Sequence, residues 1–266
     1  MPDSSLQLSR IQAGLVTTRL GANLHHLLET DSTNKVARQL AENGAADGEI
    51  VIAEQQSAGR GRLGRSWVSP PFVNLYISFI LRPRLAPVDA PQVTLAAAVA
   101  LADAVAAFIP MQPTIKWPND ILVGGKKLAG ILTESSCSAE RLEFVILGIG
   151  VNLNFPVRAM PEEIRQRASS LLELRGQPVD RESFICRLIH DLDRCYGILQ
   201  ESGFAAVAAR WQSYFALHRR LVRVEMIDQT IVGHAQGIDR DGALIIEREN
   251  GARERILAGD VIPVED

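Results

Sequence analysis

Apolar positions along this chain change period several times, and each change predicts an element. Ile50-Val51-Ile52-Ala53 is a continuous apolar run that reads as a buried strand, and Asn74 to Leu81 reads as another until Arg82-Pro83 stops it. After Asp31-Ser32-Thr33-Asn34, four residues of capping type, Val36, Ala37, Leu40 and Ala41 recur at helical spacing until Asn43-Gly44. Residues 91–109, rich in Ala, Leu and Val and closed by Pro110, predict a helix apolar on most faces and packed on a sheet. Leu24 to Thr30, Thr114 to Trp117, Ile121 to Val123, Lys126 to Glu134 and Leu142 to Leu147 read as further strands, with Gly124-Gly125 forming a tight hairpin. Hairpins rather than helices join most of them. That order predicts an α+β architecture, a mixed β-sheet packed with helices, and not a doubly wound fold.

Asp180 caps a helix running to about Ser202, and a second spans about Gly203 to Phe215. The texture then changes to short strands around Val222, Ile231, Ala243–Ile246 and Arg255–Leu257, with Asp241-Gly242 and Asn250-Gly251 as turns. This predicts a small all-β barrel of about fifty residues, a size that benefits from support by a larger domain. The expected organisation is an N-terminal extension over 1–22, a main domain over 23–218 and a small C-terminal unit over 219–266.

Composition narrows the class. With 47% apolar and 22% charged residues in 266, this is ordinary globular material, and a net charge of −3 gives no basic footprint for nucleic acid. No leader pattern opens the chain and no apolar run approaches a membrane span, so the expectation is a cytoplasmic protein without a membrane partner. Cys137, Cys186 and Cys195 form no C-x-x-C, which argues against a disulfide framework or a zinc site. Cys186 and His190 lie four apart on a predicted helix without a second ligand pair; no metal site is expected.

The densest chemistry lies in Glu54-Gln55-Gln56-Ser57-Ala58-Gly59-Arg60-Gly61-Arg62-Leu63-Gly64-Arg65-Ser66-Trp67. Its glycines let backbone approach a ligand, and Arg60, Arg62 and Arg65 offer planar donors for carboxylate or phosphate. Gly59-x-Gly61-x-x-Gly64 satisfies the dinucleotide fingerprint, but Arg65-Ser66-Trp67-Val68-Ser69-Pro70-Pro71 opens no helix for a pyrophosphate, so that reading is set aside. The loop handles anions through its side chains.

Four separated pieces call for one explanation: Ser32-Thr33-Asn34, the loop from Gln56 to Trp67, Lys116-Trp117-Pro118-Asn119-Asp120 with Lys127-Leu128-Ala129-Gly130, and Gly148-Ile149-Gly150-Val151-Asn152. In this order and spacing they resemble the biotin protein ligase family, over roughly residues 20 to 265. The resemblance implies a class II synthetase-like biotin/lipoate ligase fold with a small SH3-like β-barrel at the C-terminus. It also implies ATP-dependent biotinylation of one lysine on a biotin carboxyl carrier domain through biotinyl-5'-AMP. Some family members carry an N-terminal DNA-binding domain; the chain leaves no room for one, so ligase activity without repression or DNA binding is expected.

Carried over by motif position, Lys127, Arg60 and Arg62 are the implied catalytic cations, with Lys127 between the biotin carboxylate and the α-phosphate. Ser32, Thr33, Asn34 and Gln56 are implied at the ureido ring of biotin, and Gly59, Gly61, Gly130 and Gly150 along its slot. Arg65 and Lys116 are implied at the pyrophosphate end of ATP, and Trp67, Asn119 and Asn152 near the adenine. Asp120 is implied to orient its neighbours. Biotin and ATP are the implied small molecules, with Mg²⁺ arriving on the nucleotide. A homodimer is left open. So are two other readings, a lipoate or octanoate transfer enzyme of the same fold and a nucleotide or nucleic-acid binder.

Overall fold

The computed structural model describes residues 5–138, 141–226 and 228–264. The expected outer segments, 1–22 and 219–266, therefore each include a few residues outside the described set. Within the first, Leu8–Gly14 forms helix α1, which packs on the long helix near the C-terminal end of the main domain.

The main domain is a seven-stranded sheet in the order β1-β2-β3-β7-β6-β5-β4. Its strands are β1 (Leu24–Leu27), β2 (Ile50–Ala53), β3 (Leu75–Leu81), β4 (Thr114–Lys116), β5 (Asp120–Val123), β6 (Lys126–Cys137) and β7 (Leu142–Val151). Every pairing is antiparallel except β1 with β2, which run parallel on either side of α2 (Thr33–Glu42). That crossover departs from the hairpin-dominated order expected from the sequence; a parallel pair requires such a connection. The mixed sheet follows from it.

Both sheet faces are covered. α2 lies on one, where Ala37 and Ala41 meet Val51, Ile80, Phe144 and Ile146. The opposite face carries α3 (Pro91–Ala106), on which the long α6 (Arg181–Ser202) and α7 (Phe204–Tyr214) pack; two short helices, α4 (Glu162–Arg165) and α5 (Leu171–Arg175), precede α6 in the chain. Because β2 and β3 are buried on both faces, every residue in each is buried. The stretch Pro87–Ala106 is long and apolar enough to cross a membrane, which corrects the expectation that no run approaches that length; it is the core helix of this sheet and mostly buried. Asp180 caps α6 by accepting from the Ser183 N–H, as expected from its residue type.

The C-terminal unit is a five-stranded antiparallel sheet, β11-β10-β9-β8-β12, built from β8 (Leu221–Glu225), β9 (Thr230–Ile238), β10 (Leu244–Glu247), β11 (Arg253–Ile256) and β12 (Asp260–Pro263). The last strand was not expected from the sequence. It is only four residues long and ends on Pro263, so it carries little alternation to detect. Trp117 donates its indole N–H to the Gly242 carbonyl at 3.2 Å and ties the two units together.

Candidate active site

The register of the main sheet lays out the site. Tyr76 on β3 pairs with Gly150 on β7, Gly150 with Gly130 on β6, Gly130 with Asp120 on β5, and Asp120 with Lys116 on β4. Two residues along, Ser78 pairs with Gly148 and Gly148 with Leu132. Residues two apart share a face, so the glycines at 130, 148 and 150 remove side chains from one patch and leave a trough. This explains why strands that otherwise read as core carry glycine here.

The trough is closed from above by three segments. At one end the start of α2 descends onto Gly148, so closely that a Cβ there would stand 2.1 Å from Asn34 Oδ1. The Asn34 amide donates to Glu134 Oε2 at 2.7 Å and to the Leu132 carbonyl at 3.2 Å, while Ser78 Oγ lies 2.7 Å from its oxygen. Ser32 occupies the N-cap position of α2, yet its side chain makes no capping bond. The helix's first N–H, that of Thr33, is taken at 2.9 Å by Gln56 Oε1, whose own amide nitrogen donates to Ser69 Oγ at 3.1 Å. Capping is thus delegated to Gln56, and all four side chains line the cavity.

From the middle comes the arginine loop, folded as a small closed hairpin. Arg60 bridges to Ser66, Gly61 N–H donates to the Arg65 carbonyl, Trp67 N–H donates to the Gly59 carbonyl, and Leu63 and Gly64 turn the tip at positive φ. Arg60 pairs with Glu134 at 3.1 Å and Arg62 donates to Asn119 Oδ1 at 3.1 Å. Burial pulls the Arg62 guanidinium's pKa down, and the fields of Asp120 and Asp260 partly restore it. The Trp67 ring comes down on the glycines; a Cβ on Gly150 would stand 2.6 Å from its indole and one on Gly130 would stand 3.3 Å from it.

The third segment is the β5–β6 hairpin. Gly124 and Gly125, both at positive φ, make the two-residue turn, and a bulge near Leu128 offsets Lys127 from regular pairing. The Lys127 ammonium sits 2.7 Å from Asp120 Oδ1 and 5.6 Å from the centre of the Trp67 ring. The cavity these groups enclose measures about 60 Å³ and is lined by Ser32, Thr33, Asn34, Gln56, Arg60, Gly61, Arg62, Trp67, Asn119, Lys127, Gly130 and Gly150, among others. A larger cavity of about 330 Å³ adjoins it across Arg62, Asn119 and Ile131, between α3, β6 and the C-terminal sheet.

Of the residues implied to bind biotin or ATP, four lie off this cavity. Gly59 packs under the loop, where a Cβ would stand 2.5 Å from the Trp67 carbonyl. Asn152 is buried and donates to the Ser169 carbonyl at 3.0 Å, which fixes the segment before α5. Arg65 and Lys116 both reach Asp260 of the C-terminal sheet, at 2.7 and 3.1 Å. Sequence reading missed Tyr76, Ser78 and Glu134 as contributors, since each sits in a strand whose apolar pattern conceals it, and it quoted Gly148 within its motif without assigning it to the slot. Gly148 carried the one available signal, a glycine inside a strand.

A buried ion pair braces the loop from behind. Glu54, at the end of β2, is fully buried and receives Arg181 at 2.7 Å, the Leu6 N–H and His26. Burial pushes the Glu54 pKa up, but these donors outweigh it and leave the carboxyl below its ordinary value.

Comparison with known proteins agrees with this geometry. Residues 28–152 match the model of the biotin/lipoate A/B protein ligase family, and residues 220–262 match the biotin protein ligase C-terminal domain. The chain is 37% identical over 256 residues to the bifunctional ligase/repressor BirA of Bacillus subtilis, covering 96% of this chain and 78% of that one. It is also 37% identical over 247 residues to a biotin–[acetyl-CoA-carboxylase] ligase of Paracoccus denitrificans, covering 88% and 98%. Among solved structures, a biotin protein ligase from Aquifex aeolicus in complex with biotin and ATP superposes with a TM-score of 0.78 at 29% identity, over 92% of this chain and 100% of that one. By family models, relatives and fold alike, the chain belongs to the biotin protein ligases within the biotin/lipoate A/B protein ligase family.

Proposed function

We propose that the enzyme joins biotin to one lysine of a biotin carboxyl carrier domain, that of acetyl-CoA carboxylase, in two half-reactions at the trough. The observation that carries this is a single cavity over one glycine floor, with hydrogen-bonding groups at the α2 end, Lys127 at the hairpin end, and Arg60 and Arg62 entering from the loop between them. Ser32, Thr33, Asn34 and Gln56 supply the mixed donors and acceptors a ureido ring needs once it is buried. Lys127, Arg60 and Arg62 then face the carboxylate. They neutralise it together with the α-phosphate of ATP, two anions that otherwise repel, and hold them in line.

In the first step a biotin carboxylate oxygen attacks the α-phosphorus, the bond to the bridging oxygen breaks, and pyrophosphate leaves. In the second the lysine amine attacks the acyl carbon of biotinyl-5'-AMP, AMP leaves with the bonding pair, and the amine loses a proton. Asp120, beside Lys127, is placed to hold that cation and to receive the incoming amine. Among the described residues no cluster of His, Cys, Asp and Glu forms a metal cage, so Mg²⁺ enters the proposal as part of the nucleotide substrate. Trp67 and Asn119, on the cavity wall, are the groups proposed nearest the adenine.

The three free thiols suit a reducing compartment, and we place the reaction in the cytoplasm. Transcriptional repression, named for the Bacillus relative, is not part of the proposal. The test is ATP–pyrophosphate exchange with biotin, with lipoate and with neither. Biotin-dependent exchange supports the reading, exchange with lipoate alone moves the chain to a lipoate activity, and silence with both acids in folded protein overturns the adenylation step.

A further inference from the structure

Glu134 lies on β6 two residues beyond Leu132, on the face that carries the glycine floor, and pairs with Ile146 where that residue packs against α2. A carboxylate at such a position calls for partners, and it has two. Its Oε2 accepts the Asn34 amide at 2.7 Å and Arg60 at 3.1 Å. These donors serve different parts of the proposed chemistry: the start of α2 meets the ring of the ligand, and the arginine loop meets its carboxylate. One oxygen joins them.

We infer that Glu134 is a positioning residue for biotin recognition: it orients Asn34 and Arg60 from one oxygen, and so couples the ring end of the site to the carboxylate end. The inference rests on the proposed biotin-adenylating function. Hydrogen-bond direction supports it. An ionised carboxylate only accepts, so Asn34 must turn its nitrogen to Glu134 and its oxygen to Ser78 Oγ, which lies 2.7 Å away. Ser78 has one hydroxyl proton; given to Asn34, it leaves the 2.8 Å contact with Thr33 Oγ1 to be donated from Thr33. The Thr33 hydroxyl then meets a ligand N–H as an acceptor. Glu134 thus sets the donor and acceptor pattern of groups it does not touch. Arg60 is half-exposed between Gly59 and Gly61, and a side chain held by Glu134 when the protein folds need not be ordered at the moment of binding. A guanidinium has five N–H groups, so one bond to Glu134 leaves the others for the carboxylate of the ligand.

The test measures binding of biotin, and of biotinol, in which an alcohol replaces the carboxylate, by titration calorimetry on the full chain as wild type, Glu134→Gln and Glu134→Ala. The glutamine keeps the shape and one acceptor but offers Asn34 a competing amide N–H. Expected for both variants are a biotin Kd raised about tenfold or more and a biotinol Kd raised about threefold, with the melting temperature of Glu134→Gln close to wild type. Glu134→Gln alone decides the matter should the alanine variant not fold. Double-mutant cycles give the readout that a merely structural role would not move. In an Asn34→Ala background Glu134→Gln should alter the biotinol Kd by less than about twofold, and in an Arg60→Ala background the extra loss of biotin over biotinol should disappear. Wild-type affinity in Glu134→Gln, tighter binding there, as a latch that withholds Arg60 would give, or strict additivity in both cycles would overturn the inference while leaving the proposed function standing. A wild type that binds neither biotin nor biotinol would overturn the proposed function, and the inference with it.

Discussion

Replacing Gly148 by alanine probes the trough at its tightest point. The added Cβ would sit 2.1 Å from Asn34 Oδ1 and 2.8 Å from its Cγ, well inside the 3.4 Å at which ordinary contact begins. Asn34 cannot simply swing aside. It is buried and held by Glu134 and Ser78 at 2.7 Å each, with Leu132 at 3.2 Å. Either the amide moves and leaves buried partners unpaired, at about 1–3 kcal/mol for each, or the backbone of β7 shifts, at a similar cost of overpacking. If Asn34 reads the ureido ring, one misplaced hydrogen bond to the ligand weakens biotin by about 5- to 150-fold. Calorimetric Kd for biotin and the melting temperature together read both effects. Gly197→Ala is the matched control, because Gly197 lies inside α6 with only Arg19 Nε, at 3.8 Å, near its missing Cβ. Relief from glycine's poor helix propensity should stabilise it by about 0.5–1 kcal/mol. A Gly148→Ala protein with biotin affinity within twofold of wild type would refute the argument that Asn34 is held in place for recognition.

Other perturbations test the remaining groups. Lys127→Ala and Arg60→Ala should each lower biotin-dependent pyrophosphate exchange by at least about 100-fold without lowering the melting temperature, the size seen when a charge-stabilising group is lost; near-normal exchange in either variant would remove that residue from the chemistry. Because the Trp67 ring lies over the glycine floor, biotin should change the intrinsic fluorescence, and Trp67→Phe should abolish most of that change. A signal that survives the substitution would place the ligand elsewhere. The Glu54 pKa is lowered from 4.5 in the folded protein, so its stabilisation is complete above that value and is lost as pH falls through the folded pKa. Unfolding midpoints measured from pH 6 to 3 should therefore fall less steeply in Glu54→Gln than in wild type. Glu54→Ala, which leaves the buried Arg181 charge without its carboxylate, should cost about 3–5 kcal/mol at neutral pH.

How far the site could be read from the sequence depends on how each residue reaches it. Side chains borne on the glycine-rich loop stood out, because Arg60, Arg62 and Trp67 have no place in a core and so advertise a ligand; the Ser32–Asn34 cluster reads by itself as a helix cap and gains its meaning only from the joint motif. Gly130 and Gly150 stood out only through the motif around them; their function is to remove side chains from a ladder row, and that row exists only once β3, β7, β6 and β5 are in register. For the same reason Tyr76, Ser78 and Glu134 were invisible. Each is one residue of a strand, and its partner in the site lies between 44 and 100 positions away.

Asp260 is the extreme case. Nothing in Leu257-Ala258-Gly259-Asp260 distinguishes that carboxylate from any other surface acid, and its partners Arg65 and Lys116 lie 195 and 144 positions away. A pairing at such separation is set by how the C-terminal sheet docks on the main domain, and docking leaves no local periodicity. The meeting of these three charges is consequently a property of the assembled fold. Each half of the chain, taken by itself, contains only its charges.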